Sequence, residues 1–336
     1  MELKLYWFYA FNVVVNSALS FFTTILLIEG CVCLFRITNP RIKVICRILP
    51  FFKICLDLCL YHVSKWALLH GVNPILAEPG SRQLSLVLIN PFTGIQLSLQ
   101  DGKTFSVADV IALFIGPIWV QVIVCMAGLG SLIACLLCLM RMIAERRQIA
   151  RIVAGAIQIP LIALLQKNQV TVATSEAISS PCIIGRTVLF PTQLLQNLSG
   201  EEVEAIIVHE MAHLRWKDCV VRLVCSWITA LFWWIPTRWW QKRIEEAQEL
   251  AADAAIHKAG ISGVVLAGAI LKTAQSIKRH KFLPAFSLVG DKSPLTKRVG
   301  MILKGPRSLP IGFSVVQYGL LLSVLVSILF GTLWIF

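Results

Sequence analysis

Five consecutive residues, His209-Glu210-Met211-Ala212-His213, carry two imidazoles and a carboxylate at a spacing suited to metal chemistry. Positions four apart share a helix face, so a helix here presents both imidazoles to one ion. Glu210 lies about 100° round the helix from His209. That is close enough to hold a water at the ion. Zinc accepts nitrogen and carboxylate ligands and keeps one position open in catalytic sites. Two histidines leave the ligand set incomplete. Glu249, in Glu249-Leu250-Ala251-Ala252-Asp253, is the candidate third ligand, with Glu245 and Glu246 as nearby rivals. Asp253 follows four residues later on the same helical face. It is the candidate acceptor for the non-metal nitrogen of a histidine ligand, which would fix that ring's tautomer.

The elements that must position these groups carry their own signals. Ser199 and Glu202 form a capping box ahead of the first helix, and Glu201, Glu202 and Glu204 suit its dipole. The second helix has Thr237 after Pro236 as a cap and Gly260 as a stop. The run 223–237 is uncharged but short for a membrane span. A single crossing there would also part the histidines from Glu249. The run therefore packs in the domain core or lies in the membrane face with its tryptophans at headgroup level.

In order along the chain stand Ser180-Pro181-Cys182-Ile183-Ile184-Gly185, Val188-Leu189-Phe190-Pro191, the HEMAH pentapeptide, Lys217-Asp218, Trp233-Trp234-Ile235-Pro236, Glu249-Leu250-Ala251-Ala252-Asp253 and Leu295-Thr296-Lys297-Arg298-Val299. Together they resemble the membrane-embedded gluzincin metallopeptidases, and most of all the BlaR/MecR-type antirepressor peptidases. The resemblance covers residues 145–305 well. Ile235 departs from it, since the family often has Asn before that proline. The resemblance implies a zinc metalloendopeptidase with one Zn2+ per chain, held by His209, His213 and Glu249, and with Glu210 as the catalytic base. Candidates for a substrate or oxyanion contact are Arg298, His280 and His257. The implied substrate is a cytoplasmic protein or peptide, in that family a transcriptional repressor. β-Lactam sensing does not carry over, because the chain has no Ser-x-x-Lys and is expected to end with its last span, without an outer sensor domain. A separate sensor partner, or residues 71–108, would then supply the signal. Two other readings stand beside this one: a quality-control protease for membrane proteins, and a non-catalytic membrane receptor or scaffold.

Composition sets the frame. The 336 residues are 57% apolar and 15% charged, with a formal net charge of +13. That is too apolar for an ordinary soluble domain. The positive charge clusters beside apolar stretches, which marks the cytoplasmic side of a membrane, so no direct nucleic-acid binding is expected. The 11 cysteines fall mostly in apolar segments, where thiols act as small apolar groups, and no disulfide framework is expected. The start reads as an uncleaved anchor.

The expected fold is a mainly α membrane protein. About four transmembrane helices carry an inserted α+β gluzincin-like peptidase domain. Residues 1–140 form a membrane region with spans at about 8–34, 48–70 and 110–140 and an extracytoplasmic loop at 71–108. Residues 141–307 form the cytoplasmic peptidase domain, and 308–336 the last span. Arg36, Arg41, Lys43 and Arg47 lack acidic neighbours, which assigns that turn to the cytoplasm and both termini to the outside. The expected location is a bacterial cytoplasmic membrane. Glu29 is expected to reach headgroups, and Lys53 to pair with Asp57. Residues 71–108 read as a small hairpin around Asn90-Pro91-Phe92-Thr93-Gly94. Pro117, Gly128 and Gly130 are candidate kinks in the third span. Residues 145–166 read as helix bent at Pro160, 169–174 and 186–190 as strands, and 262–279 as helix. Another helix starts at Ser293-Pro294. A sheet edge within 170–184 is the expected place for a substrate strand.

Overall fold

The computed structural model describes residues 2–69, 107–159, 170–280, 294–305, 319 and 321–328. These residues are mostly helical, with one small sheet. The hairpin expected within 71–108 and most of the last span lie outside them. Of that span, residues 321–328 are helical, and Leu321, Leu325 and Ile328 pack on Ile28 and Val32.

Helix α1 (Glu2–Leu34) and helix α2 (Pro40–Leu69) form a hairpin. The Asn39 side chain accepts from Arg41 N at 2.9 Å and caps α2. Helix α2 therefore starts earlier than expected, and Arg41, Lys43 and Arg47 lie on it rather than in a loop. The Lys53–Asp57 pair forms and is fully buried, with Ser20 Oγ donating to Asp57 Oδ2 at 2.6 Å. Glu29 accepts from Arg47 Nε at 3.0 Å.

Helix α3 (Val107–Ile115) breaks at Gly116, whose φ of 80° is open to glycine at little cost. Pro117 then starts helix α4 (Pro117–Ala154), 38 residues long. The expected kink at Pro117 is thus a full break between two helices, and the helix expected over 145–166 ends at Ala154, with β1 following it; Pro160 lies outside the described residues. The boundary expected at residue 140 falls inside α4, since nothing between 138 and 145 interrupts its hydrogen bonding. Two segments, Tyr6–Leu34 and Pro117–Ala154, are long and apolar enough to cross a membrane; α2 is not among them.

Strands β1 (Ile157–Ile159), β2 (Thr171–Ser175), β3 (Cys182–Ile184) and β4 (Thr187–Pro191) form a sheet in the order β1-β2-β4-β3. Strands β2 and β4 are parallel, and β3 runs antiparallel to β4 at the edge. After the short helix α5 (Thr192–Leu195) comes helix α6 (Gly200–Arg215). The sheet buries Val172, Val188 and Phe190 against Val203, Ile206 and Ile207 of α6.

Helix α7 (Asp218–Leu231) and helix α8 (Thr237–Lys258) then form a second hairpin, followed by helix α9 (Gly263–His280) and helix α10 (Pro294–Lys304). The α7–α8 hairpin packs among the membrane-candidate helices. Phe21, Val44, Phe51 and Ile54 of α1 and α2 share one core with Cys225, Phe232, Ile235, Trp240 and Ile244. Trp233 Nε1 donates to Ala127 O at 3.0 Å, and Trp234 Nε1 to Val14 O at 3.2 Å. Thr237 does not cap α8. Pro236 occupies the N-cap, and the Thr237 hydroxyl bonds Thr229 Oγ1 at 2.9 Å. Gly260 ends α8 with a φ of 80°.

Candidate functional site

Helix α6 begins as its sequence dictates. Ser199 Oγ accepts from Glu202 N at 3.2 Å, and Glu202 Oε2 accepts from Ser199 N at 2.7 Å. Lys272 of α9 donates to the same carboxylate at 2.7 Å. This start fixes the helix's rotation. Val203, Ile206 and Ile207 turn toward the sheet, and His209 and His213 turn toward α8.

The two Nε2 atoms face one another at 3.3 Å. Glu249 Oε2 lies 3.6 Å from His209 Nε2, and Glu249 Oε1 lies 3.7 Å from His213 Nε2. Glu245 and Glu246 do not join them: Glu245 accepts from Gln241 at 3.1 Å, and Glu246 is exposed. Tetrahedral zinc with bonds of about 2.0–2.1 Å sets its ligand atoms roughly 3.3 Å apart. The triangle His209–His213–Glu249 has that scale, and both histidines are buried.

The outer nitrogens face carboxylates. His213 Nδ1 is 2.9 Å from Asp218 Oδ2. A carboxylate only accepts, so Nδ1 carries the proton and Nε2 offers its lone pair to the cluster. His209 Nδ1 is 3.1 Å from Asp253 Oδ1. Those atoms are close but poorly aligned, and this Nδ1 is buried without a hydrogen bond among the described residues. Two imidazole nitrogens and a carboxylate therefore converge, which is a donor set that fits a divalent cation.

Arg298 of α10 closes the rim. Its Nε and Nη2 donate to Asp253 Oδ2 and Oδ1 at 2.8 and 2.7 Å, and Nη1 is 3.0 Å from Glu249 Oε2. It thus lies inside the site, with Nη2 also 3.4 Å from His209 Nε2. His257 lies in the last turn of α8 beside Gly263, outside the cluster. His280 ends α9, and its side chain lies outside the described residues.

Charge shapes the site. Burial disfavours the His209 imidazolium, but Asp253 and Glu249 outweigh it and lift the group to about 9. Burial also disfavours the Glu249 carboxylate, but His209 and Arg298 hold it down at about 2. Burial pushes the Glu210 carboxyl up against the opposing pull of both histidines. Strand β3 packs beside α6. Burial there, with Glu210 adding to it, pushes the Cys182 thiol up to about 11. The outer edge of β3 is unpaired among the described residues.

Sequence reasoning missed the roles of Asp218 and Arg41, which stand behind His213. The signal for Asp218 is a lone acid at the head of an apolar helix, five residues past His213. Arg41 shows in the sequence only as part of a positive cluster.

A family model described as BlaR1 peptidase M56 matches residues 79–302, about two thirds of the chain. A methicillin resistance mecR1 protein from Staphylococcus aureus is 25% identical over 149 residues, covering 40% of this chain and 26% of that protein. The mecR1 protein of Staphylococcus epidermidis matches to the same extent. Protease HtpX homolog 2 from Sulfurisphaera tokodaii is 42% identical over 65 residues, 19% of this chain and 20% of that protein. The matches therefore span about a quarter or less of these relatives' own lengths.

Proposed function

This chain belongs to the BlaR1 peptidase M56 family, and on that premise we propose that it is a membrane-integrated zinc endopeptidase cutting a protein substrate at the cytoplasmic membrane surface. The observation that carries the proposal is the convergence of His209, His213 and Glu249 at ligand spacing, with the half-buried Glu210 beside them. His209, His213 and Glu249 would hold the metal. Bound there, zinc supplies Lewis acidity, lowering the pKa of a water toward about 7 and polarising the scissile carbonyl.

The chain's own residues do the rest. Glu210 takes a proton from the attacking water and passes it to the leaving amine, work suited to a carboxyl that burial raises. Asp218 holds the outer nitrogen of His213, and Asp253 stands beside that of His209. Arg298 keeps Glu249 and Asp253 ionised and in place. A substrate adding along the outer edge of β3, unpaired among the described residues, is held by backbone hydrogen bonds and lies next to Glu210.

The same residues support a membrane orientation. Asp218, beside the site, pairs with Arg41 at 2.9 Å. Arg41 stands in the first turn of α2, beside the basic α1–α2 turn, which the positive-inside rule assigns to the cytoplasm. The site and that turn therefore share a side. Proteolysis of one stable regulator would make the protein an antirepressor-like transducer, and proteolysis of many damaged membrane proteins would make it a quality-control enzyme. Proteomics after depletion distinguishes the two.

The direct test is cleavage by purified protein with and without a chelator, beside Glu210→Gln. We expect Glu210→Gln to lose activity by about a hundredfold or more while still binding zinc. Cleavage that survives both treatments contradicts the assignment.

A further inference from the structure

Asp218 is gripped from two sides. Its Oδ2 meets His213 Nδ1 at 2.9 Å, and its Oδ1 accepts from Arg41 Nη2 at 2.9 Å. Arg41 stands in the first turn of α2, 177 positions earlier in the chain. The same Nη2 donates to Trp216 O at 3.3 Å, and the guanidinium lies 4.3 Å from the centre of the Trp216 ring. One side chain from the α1–α2 hairpin thus holds both the end of α6 and the start of α7, on either side of Lys217.

This contact is costly to build. Asp218 is 1% exposed, and Arg41 Nη1 is buried without a hydrogen-bond partner among the described residues. Buried ion pairs contribute little net stability, because desolvation offsets their attraction. What they supply is a fixed arrangement. Here the fixed object is the carboxylate that sets the tautomer and angle of His213, a role that outer partners of metal ligands commonly fill.

We infer that Arg41 is a positioning residue for the metal centre, acting through Asp218 on His213 and so tying the α1–α2 hairpin to the site. The inference rests on the reading of His213 as a zinc ligand. A change in the seating of the hairpin reaches the ligand through two side chains in series, Arg41 and Asp218, without passing through the sheet.

The test is zinc affinity of the full chain in detergent, measured with zinc itself against a chromophoric chelator. Arg41→Gln and Asp218→Asn should each weaken zinc by about tenfold or more. The double variant should be no weaker than Asp218→Asn alone, since both changes interrupt one chain of contacts. Arg47→Gln removes another ion pair of this hairpin, to Glu29, and should stay within about twofold of the wild type, because Arg47 reaches neither Asp218 nor His213. Wild-type affinity in Arg41→Gln, or effects that multiply in the double variant, would overturn the inference. Failure of the wild type itself to bind zinc would instead remove the functional reading beneath it. If Arg41→Gln does not fold, Arg41→Lys is decisive. It keeps the charge but not the planar fork, so zinc should weaken while the metal-free melting temperature holds. Unchanged affinity there would reduce Arg41 to a structural part.

Discussion

Lys217 adopts a left-handed backbone, with a φ of 54°, between the residue that caps α6 and the first residue of α7. A side chain in that region costs roughly 1–2 kcal/mol. The turn it makes brings Asp218 back to His213 only five positions later. Lys217→Gly should therefore melt at or above the wild-type temperature and keep its zinc. Lys217→Val, branched where φ is positive, should melt several degrees lower and bind zinc more weakly. Equal melting of the two would deny that the turn is strained. Protons compete for the same site. His209 is held up to about 9 in the metal-free protein by Asp253 and Glu249, so it is protonated near neutral pH, and zinc must displace that proton. Apparent affinity should accordingly rise with pH until about 9. Calorimetry in buffers of different ionisation enthalpy should read at least one proton released per zinc, and none released would contradict the charge assignment. Residues of the site differ in how far the sequence revealed them. His209, Glu210 and His213 were legible because their spacing is local to one helix, and Glu249 and Asp253 because they repeat that spacing. The link from Arg41 to Asp218 was not, since no period connects two helices so far apart in the chain.

The α7–α8 hairpin is the element through which the site meets the membrane-candidate helices. Its apex lies against α4, where a Cβ on Gly130 would collide with the Trp233 ring. Ser131 Oγ donates to Leu231 O at 2.6 Å beside it. A Cβ on Gly128, by contrast, would meet nothing within 4 Å. Gly130→Val should cost about 1–3 kcal/mol through overpacking and lower the melting temperature, whereas Gly128→Ala should be neutral or slightly stabilising. Matching melts for the two would mean that the apex does not dock there. The sequence left this hairpin undecided between core and membrane face because hydrophobic pattern reports burial, not the partner. Three indole N–H groups, from Trp233, Trp234 and Trp240, donate to the carbonyls of Ala127, Val14 and Arg47. Each carbonyl has a second lone pair beyond its helical bond, a pairing that no local motif encodes. Strands β2 and β4 were readable as apolar runs. Strands β1 and β3 have three residues each, too few to show alternation.

At the scale of the molecule, the site meets the basic end of the α1–α2 hairpin through Arg41 and Asp218, and α4 packs on α7. An epitope inserted in the turn between α5 and α6 should be reached by antibody only after the inner membrane is opened; labelling of intact spheroplasts would reverse the topology. Composition made the membrane legible, because 57% apolar content exceeds what a soluble core needs. It did not reveal that α4 is one helix through the expected domain boundary, since the change from apolar to basic at Arg141 alters the surroundings of the helix and not its hydrogen bonding. The central claim is that two imidazoles and one carboxylate hold a catalytic zinc. Metal analysis of the detergent-purified wild type beside Glu249→Ala and Glu210→Gln tests it most directly. The account predicts one zinc per chain in the wild type and in Glu210→Gln, and a large loss in Glu249→Ala. A wild type without zinc, or a Glu249→Ala variant that retains it fully, would contradict the account.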